Sequence, residues 1–414
     1  MRHRAFLLIV LALGAAHAED LAVFLSRGKQ ARAGGGLLRI LHFGDSHLAA
    51  PGTRRAYRQT FQSQFGDGGP GLSLPWAEAP GNGATSMSRG WRKALHPAGD
   101  TCLGLGARFM EARGAGEWAR LEGAFSRLRL HFLRGPGAGS ARILVDGRCL
   151  GEVSLRGGGP GLELFDRQVG AGRHRLEILT SQDGPVRLLG VSLEAASGVA
   201  YSPLAFNGAE AFWMGAPGEL LLSQLQAEAP DLVILAFGTN EANGPRFDPT
   251  AYRRRLEAFL GRFRKAVPGA LLLLLGPPDA RLPQGLPGSL DQVIAAQQAV
   301  ASRLGALFLD QREAMGGAGS IGSWQRSGMA ARDGVHLTPQ GYDRLADLMT
   351  GRLFDRMGAP MAARERPRPQ EPPEVSEAPQ GLFLFRTEDG RTIITDRASV
   401  VAGQRGKWIG RRPQ

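Results

Sequence analysis

Three residues in two short motifs could together perform acyl transfer. Ser46 lies in FGDSH, and Asp333 precedes His336 by three residues in DGVHLTPQGY. Transfer of an acyl group to a serine needs a base that takes the hydroxyl proton and a carboxylate that orients the base. The residue types therefore predict a catalytic set in which Ser46 attacks, His336 acts as the base and Asp333 holds His336 in one tautomer.

Acyl transfer also needs hydrogen-bond donors at the oxygen that becomes negative in the transition state. AFNGAEAFW contains Gly208, and AFGTNEAN contains Asn240. We predict an oxyanion hole formed by the backbone N–H groups of Ser46 and Gly208 and the side-chain amide of Asn240. Each residue alone also fits a structural role, as a helix cap, a turn former or a flexible backbone position. Their joint occurrence favours a catalytic site.

Apolar segments typical of buried strands precede the motifs around Ser46, Gly208 and Asn240. Five such segments occur, at 37–43, 199–206, 231–238, 270–276 and 306–310. Helical patterns lie between them, with apolar residues three and four apart. This alternation predicts a three-layer α/β/α fold with a five-stranded parallel sheet, whose ligands bind at the carboxyl ends of the strands. Thr338 and Pro339 are predicted to begin the final helix, as N-cap and first helical residue.

The segment 81–198 interrupts this alternation. Apolar and polar residues alternate there with period two, and the turn dipeptides Asp146-Gly147 and Asp183-Gly184 separate the runs. This pattern predicts an all-β sandwich, jelly-roll-like, inserted into the α/β domain. The predicted organisation is a signal peptide at 1–18, an α/β domain at 19–80 and 199–358, the sandwich at 81–198, a Pro-rich linker at 359–380 and a β-hairpin tail at 381–414.

The first residues are typical of a secretory signal. Arg2 and Arg4 precede an apolar run, and Ala16 and Ala18 provide a small-residue cleavage site. We therefore expect export, to the periplasm or beyond, and find no second stretch able to span a bilayer. The formal net charge of +12 is spread along the chain. It gives a weak indication of an acidic polymer as partner, and an exported chain is not expected to bind nucleic acid. Nothing in the sequence sets the oligomeric state.

The chain has two cysteines, Cys102 and Cys149. In an oxidising compartment they are expected to form a structural disulfide, and the alternative is two separate buried thiols.

A metal site is a weaker prediction than the serine site. His42, Asp45, His47 and His336 could converge in principle. Strand alternation is expected to direct His42 and His47 away from a shared centre, and no compact ligand spacing such as His-Glu-x-x-His occurs. We therefore expect neither a metal nor a cofactor.

Glycan binding usually requires exposed aromatic rings. The tryptophans that could serve are Trp76, Trp91, Trp213 and Trp324. Most tryptophans in a chain of this size belong to the core. Trp213 and Trp324 lie nearest to the chemical motifs, so we name them, together with His47, as candidate substrate-binding residues.

The motifs resemble those of the SGNH or GDSL hydrolase superfamily, over residues 37–66 and 200–357. The particular forms FGDSH, NGA, FGTNEA, LLGPPDA and DGVHLTPQGY, with a sandwich between the first two, resemble periplasmic peptidoglycan O-acetylesterases. The resemblance implies a flavodoxin-like SGNH hydrolase fold, a carbohydrate-binding-like inserted module and removal of acetyl groups from the C6 hydroxyl of N-acetylmuramic acid. Glu241 departs from the superfamily, where an Asp often follows the Asn, and its role stays open.

Three other functions are consistent with parts of the sequence. An O-acetyltransferase acting on a periplasmic polysaccharide would use the same serine chemistry, with a sugar hydroxyl in place of water. A lipid or thioester hydrolase is disfavoured by the inserted sandwich. A glycan-binding envelope protein with a degenerate site is disfavoured by the complete set of predicted catalytic residues.

Overall fold

A computed structural model describes residues 19–73, 85–95, 104–106, 108–211, 218–361, 383–387, 392–395 and 406–408. The predicted signal peptide and most of the predicted linker lie outside these described residues, as do Cys102, Trp76 and Trp213. Among the described residues, none of the helices has both the length and the apolar character needed to cross a membrane.

Five parallel strands form the central sheet, in the order β11-β1-β12-β13-β14. Their bounds are β1 Leu37–Gly44, β11 Gly198–Ala205, β12 Leu232–Ala236, β13 Leu271–Gly276 and β14 Leu307–Asp310. These are the five segments that the sequence predicted as buried strands. Because all five run in one direction, their carboxyl ends meet at one edge of the sheet.

Helices cover both faces of this sheet. Their bounds are α1 19–32, α2 Ser46–Ala49, α3 Pro51–Phe65, α4 Glu219–Glu228, α5 Thr239–Ala242, α6 Pro249–Ala266, α7 Ser289–Arg303, α8 Gln311–Met315, α9 Ser320–Arg326 and α10 Pro339–Arg356. Neighbouring strand residues point to opposite faces, so Phe43 packs with α4, α6 and α7 while Ile40 packs with α1, α3 and α10. Two hydrophobic clusters result, and the predicted three-layer α/β/α fold is confirmed.

The chain between α3 and β11 forms a second sheet, whose strand pairings are all antiparallel. Seven strands follow the order β4-β5-β10-β6-β9-β7-β8, while β2 pairs with β10 and β3 with β6. The bounds are β2 Gly71–Ser73, β3 Thr85–Met87, β4 Arg92–Leu95, β5 Arg108–Ala112, β6 Trp118–Arg134, β7 Ser140–Val145, β8 Arg148–Ser154, β9 Gly161–Thr180 and β10 Val186–Glu194. This sheet therefore begins at residue 71, before the predicted boundary at 81.

The second sheet has its own hydrophobic cluster, because its strands turn one face inward. A register shift between Phe125 and Arg127 lets β6 present Leu121 before it and Leu128 after it to the same cluster, although the two are an odd number of residues apart. Asp146 and Gly147 both have positive φ, at 52° and 80°, and they connect β7 to β8 as a tight hairpin turn.

Buried ion pairs join the two sheets. Arg129 and His131 of β6 contact Glu228 at the end of α4, with N–O distances of 2.9 and 2.8 Å. Arg39 of β1 donates two hydrogen bonds of 2.8 Å to Glu194 of β10. The side chains of Arg129, His131, Glu194 and Glu228 are at most 4% exposed.

Contacts divide the chain into two units at Arg364 and Glu365. Both sheets above belong to the first unit. In the second, β15 (Phe383–Thr387) pairs antiparallel with β16 (Thr392–Thr395) and with β17 (Gly406–Trp408). The predicted hairpin turn at Asp389-Gly390 lies outside the described residues.

Cys149 is exposed on β8, and its predicted partner Cys102 is not among the described residues. Their disulfide therefore stays a prediction.

Candidate active site

The predicted site residues meet at the carboxyl edge of the central sheet. Ser46 begins α2 directly after β1, Gly208 lies in the turn after β11, and Asn240 lies in α5 after β12. Asp333 and His336 come from the loop between α9 and α10. Residues far apart in the chain are thus brought to one edge of the sheet.

A close-packed turn positions Ser46. A Cβ atom at Gly44 would lie 2.7 Å from Cβ of Leu48 and 3.1 Å from the carbonyl oxygen of Ala236, so a larger residue would displace the turn. Asp45 is the N-cap of α2, and its Oδ1 accepts the backbone N–H of His47 at 2.9 Å. The cap fixes Ser46 as the first helical residue.

A chain of hydrogen bonds links Ser46, His336 and Asp333. Ser46 Oγ lies 2.9 Å from His336 Nε2, and His336 Nδ1 lies 2.7 Å from Asp333 Oδ2. Oδ1 of Asp333 accepts the backbone N–H groups of Val335 and His336, both at 2.9 Å. With its Nδ1–H held by the carboxylate, His336 can use the Nε2 lone pair to accept the serine proton.

The carboxyl group of Asp333 is held in its charged form. Partial burial would raise its pKa, but the hydrogen bonds from the His336 ring and from the two backbone N–H groups outweigh burial, so the pKa of Asp333 lies below its ordinary value. The side chains of His336 and Asp333 are 42% and 49% exposed, so solvent reaches this end of the site.

Gly208 and Asn240 are held by contacts between neighbouring loops. Asn240 Nδ2 donates to the carbonyl oxygen of Ala209 at 2.8 Å and lies 3.4 Å from Asp45 Oδ2. Gly208 has φ of +76°, a conformation that favours glycine. The contact at Ala209 ties the amide of Asn240 to the turn that carries the Gly208 N–H.

Glu241, whose role the sequence left open, supports the same turn. Its Oε1 accepts the backbone N–H of Ala211 at 2.8 Å, and the side chain is buried. Burial raises the pKa of Glu241 to about 8, and repulsion from Glu210 and Asp45 adds to this effect. Burial likewise raises the pKa of Asp45 to about 7, against the opposing effect of its hydrogen bond from His47.

His47 lies behind His336. It is 7% exposed, its Nδ1 is 3.1 Å from the Tyr342 hydroxyl, and its ring centroid is 5.4 Å from that of His336. Burial lowers the pKa of His47 to about 3, so the ring is neutral. A ring in this position offers little surface to a substrate, so we assign it a supporting position instead of the predicted substrate contact.

Two expectations about nearby side chains are wrong. Trp324 is 6% exposed and donates its indole N–H to the carbonyl oxygen of Met315 at 3.0 Å, so it belongs to the core and cannot stack on a glycan. His42 and His47, expected to point apart, line one small cavity, because the chain turns sharply at Asp45 between them. Among the described residues, no group of three or more His, Cys, Asp or Glu side chains could hold a metal ion.

Sequence reasoning missed the contacts by which residues after β13 support the loop that carries Asp333 and His336. Asp279 is buried and accepts hydrogen bonds from Arg312 Nε at 3.0 Å and from the backbone N–H of Ile321 at 2.8 Å. Arg281 donates its backbone N–H to the carbonyl oxygen of Gly334 at 2.7 Å, beside Asp333. The motif LLGPPDA marked this segment but did not predict these contacts.

Comparison with known proteins finds a family of acylhydrolases and a solved esterase structure to which the chain is similar. Residues 169–344 match the model of the GDSL-like Lipase/Acylhydrolase family. That match includes Gly208, Asn240, Asp333 and His336. Ser46 lies before the matched range in the sequence, and most strands of the second sheet come between them along the chain. A comparison with curated protein sequences finds no match.

One solved structure is similar over most of its length. It is a peptidoglycan O-acetylesterase, 25% identical, with 81% of this chain and 96% of that chain covered and a TM-score of 0.67. Family two carbohydrate esterases from Clostridium thermocellum and Cellvibrio japonicus are 14% and 13% identical. Each comparison covers 67% of this chain and almost all of the esterase (99% and 98%), with a TM-score of 0.31. These two likenesses are too remote to carry a functional inference.

Proposed function

We propose that the chain is a carboxylic ester hydrolase of the GDSL-like lipase/acylhydrolase type that removes O-acetyl groups from cell-wall glycan. The observation that carries this proposal is the hydrogen-bonded chain of Ser46, His336 and Asp333, with distances of 2.9 and 2.7 Å. The similar peptidoglycan O-acetylesterase supports the choice of substrate.

Formation of the acyl-enzyme begins when Ser46 Oγ attacks the acetyl carbonyl carbon. His336 Nε2 takes the hydroxyl proton, and Asp333 stabilises the resulting imidazolium. The carbonyl oxygen becomes negative, and the N–H groups of Ser46, Gly208 and Asn240 donate to it. His336 then returns the proton to the departing sugar oxygen as the ester bond breaks, which leaves acetyl-Ser46 and a free sugar hydroxyl.

Hydrolysis of the acyl-enzyme reuses the same groups. His336 takes a proton from a water molecule, whose oxygen attacks the acetyl carbon of acetyl-Ser46. Collapse of the second tetrahedral intermediate releases acetate and returns the proton to Ser46. The open position of His336 and Asp333 favours water as the acceptor, because solvent reaches the base directly.

An accessible site also fits a polymeric substrate. The exposed side of His336 lets a glycan strand pass the site without entering a closed cavity. Export to the periplasm, which the first 18 residues predict, would place the enzyme beside peptidoglycan.

The decisive experiment measures acetate release from O-acetylated peptidoglycan by the wild type and by Ser46→Ala. Wild-type release with complete loss in Ser46→Ala is expected, and Ser302→Ala, an exposed serine on α7, is the matched control. Acetylated xylan in a parallel assay distinguishes wall glycan from acetylated sugars in general. Undiminished acetate release by folded Ser46→Ala would show that Ser46 is not the nucleophile.

The transferase alternative has its own assay. An acetyl donor is mixed with chitooligosaccharide, and acetylated product is compared with free acetate. We expect free acetate to predominate. Acetylated oligosaccharide as the main product would assign the protein to the O-acetyltransferases.

A further inference from the structure

A small cavity of about 20 Å³ lies beside His47, between β1, α2, α3 and α10. Its polar lining consists of His42, His47, Thr53, Tyr57, Gln311 and Tyr342. A cavity of this size holds one water molecule when polar groups surround it.

Three buried polar atoms of this lining have no hydrogen-bond partner among the described residues. They are Nε2 of His42, Nε2 of His47 and Oγ1 of Thr53. The three residues are 1%, 7% and 7% exposed, so bulk solvent does not supply the missing partners. An unsatisfied buried polar group costs about 1–3 kcal/mol, and three around one cavity call for a common partner.

The other nitrogen of each ring indicates where the protons are. His42 Nδ1 lies 2.7 Å from the Tyr201 hydroxyl, and His47 Nδ1 lies 3.1 Å from the Tyr342 hydroxyl. Burial lowers the pKa of both histidines to about 3, so both rings are neutral. A phenol that donates its proton to Nδ1 leaves the ring proton on Nε2. The backbone of Leu337 lies beside the Tyr342 oxygen and stabilises negative charge on it, which favours donation of the Tyr342 proton to His47.

We propose that the cavity binds one buried water molecule, which accepts the Nε2–H groups of His42 and His47 and donates to Thr53 Oγ1. Two N–H donors facing inward disfavour a cation and favour a neutral acceptor. The arrangement satisfies all three atoms with one molecule.

The proposed water would fix the ring of His47, which packs against His336. The His47 ring lies 5.4 Å from the His336 ring, at an angle of 38°. Fixing the tautomer and orientation of His47 therefore makes it a positioning residue for His336. The titratable groups that face His336 are Asp333, His47 and Asp45. The water site stands without the proposed function, whereas this positioning role rests on it.

A crystal structure of the full chain at high resolution tests the site directly. Wild-type density is expected 2.7–3.2 Å from the three atoms, as hydrogen bonds require. Thr53→Val keeps the shape of the side chain and removes the hydroxyl, so the density should weaken or disappear. Thr60→Val is the matched control, because the Thr60 hydroxyl on the same helix donates to the Ala56 carbonyl at 3.0 Å and lies outside the cavity lining. A wild-type cavity without density, or with the anomalous signal of a metal, would overturn the proposal.

Kinetics test the positioning role separately. With p-nitrophenyl acetate, Thr53→Val is expected to lower kcat about 5- to 10-fold, because a small misplacement of the base slows proton transfer. KM should stay within twofold, and the acidic limb of the pH–kcat profile should shift. Thr60→Val should change none of these. If the wild-type crystal shows the water but the pH–kcat profile of Thr53→Val is unshifted, the positioning role is wrong. Retained turnover in Ser46→Ala would instead overturn the proposed function and leave the water site intact.

Discussion

Two histidine–carboxylate pairs in this molecule have nearly the same N–O distance and opposite surroundings. His336 and Asp333 lie 2.7 Å apart at the edge of the central sheet, and their side chains are 42% and 49% exposed. His131 of β6 and Glu228 of α4 lie 2.8 Å apart, and their side chains are 0% and 1% exposed. Distance alone therefore does not distinguish a pair placed for proton transfer from one placed for packing.

The surroundings decide what each pair can do. Solvent access suits His336 and Asp333 to the proton transfers of the proposed reaction, while an exposed pair contributes little to stability. Glu228 also contacts Arg129, and the pKa of Glu228 lies below its ordinary value because these partners outweigh the effect of burial. Removing Glu228 leaves buried Arg129 with only its longer ionic contacts to Asp166 and Glu194, at 3.4 and 3.8 Å, so the buried pair is important for folding.

The largest expected effect is the loss of activity on changing the exposed pair. His336→Ala should lower kcat about 10⁴-fold or more and change the free energy of unfolding by less than about 1 kcal/mol. Ester hydrolysis and denaturant unfolding measure the two quantities. The control is His174→Ala, because His174 lies 2.7 Å from Asp146 on the second sheet and contacts neither Ser46 nor Asn240. Retention of kcat within tenfold in His336→Ala would contradict the comparison.

Changing the buried pair should have the reverse result. Glu228→Gln is expected to destabilise the protein by about 3–5 kcal/mol and to leave kcat per folded molecule within about twofold. The control Glu257→Gln removes a partner of Arg303 at 3.0 Å, where the side chains are 30% and 64% exposed, and should cost less than about 1 kcal/mol. Equal losses in the two variants would show that burial does not set the difference.

The pH dependence of this loss has a definite sign. Because the pKa of Glu228 is lowered in the folded protein, its contribution is present above the unfolded carboxyl pKa of about 4.3 and disappears as the pH falls through the lower folded value. Wild type and Glu228→Gln should therefore converge in stability in acid. An unchanged difference in the free energy of unfolding between the two proteins at low pH would contradict this interpretation.

Glu241 sharpens the comparison, because it is a buried carboxyl without a cationic partner among its described contacts. Its pKa is raised to about 8, so its favourable contribution is present below about pH 4.5 and is lost as the pH rises through 8. Glu241→Gln keeps an oxygen for the Ala211 N–H and cannot ionise. The variant should be more stable than wild type at pH 8.5 by more than about 1 kcal/mol. Thermal unfolding at pH 5 and 8.5 measures this, and parallel profiles would refute it.

The smallest expected effect comes from Trp324. Trp324→Phe removes the indole N–H that Met315 accepts, and should cost about 1–2 kcal/mol of stability. Because the ring is buried, KM for O-acetylated glycan should stay within twofold. A large rise in KM with unchanged stability would show that Trp324 contacts the substrate.

The sequence predicted the elements well where local pattern and burial agree. Strands buried on both faces appear as continuous apolar runs, and β12 and β13 are such runs. The turn at Asp146 and Gly147 was predictable because few residue pairs accept positive φ. The start of α10 at Pro339 was likewise set by its Thr338 cap, which accepts the N–H of Gly341 at 3.2 Å.

The hydrogen bonds that support the site were not predictable, because no local sequence pattern indicates them. Asp279 holds Arg312 and the start of α9, and Glu241 holds Ala211, across sequence separations of about 30 or more residues. Trp324 illustrates the opposite error, since closeness to Asp333 in sequence suggested a surface position that packing against Met315 excludes.

By itself, the sequence determined which chemistry is present and in what order, because residue type and apolar pattern are local properties of the chain. Only the tertiary structure decided the distances and exposures: that Ser46 meets His336 at 2.9 Å, that His336 stays open to solvent, and that His47 lies buried behind it. The reason is physical, since hydrogen bonding and desolvation depend on neighbours from distant segments, and those neighbours exist only once the parallel sheet has brought its strand ends together.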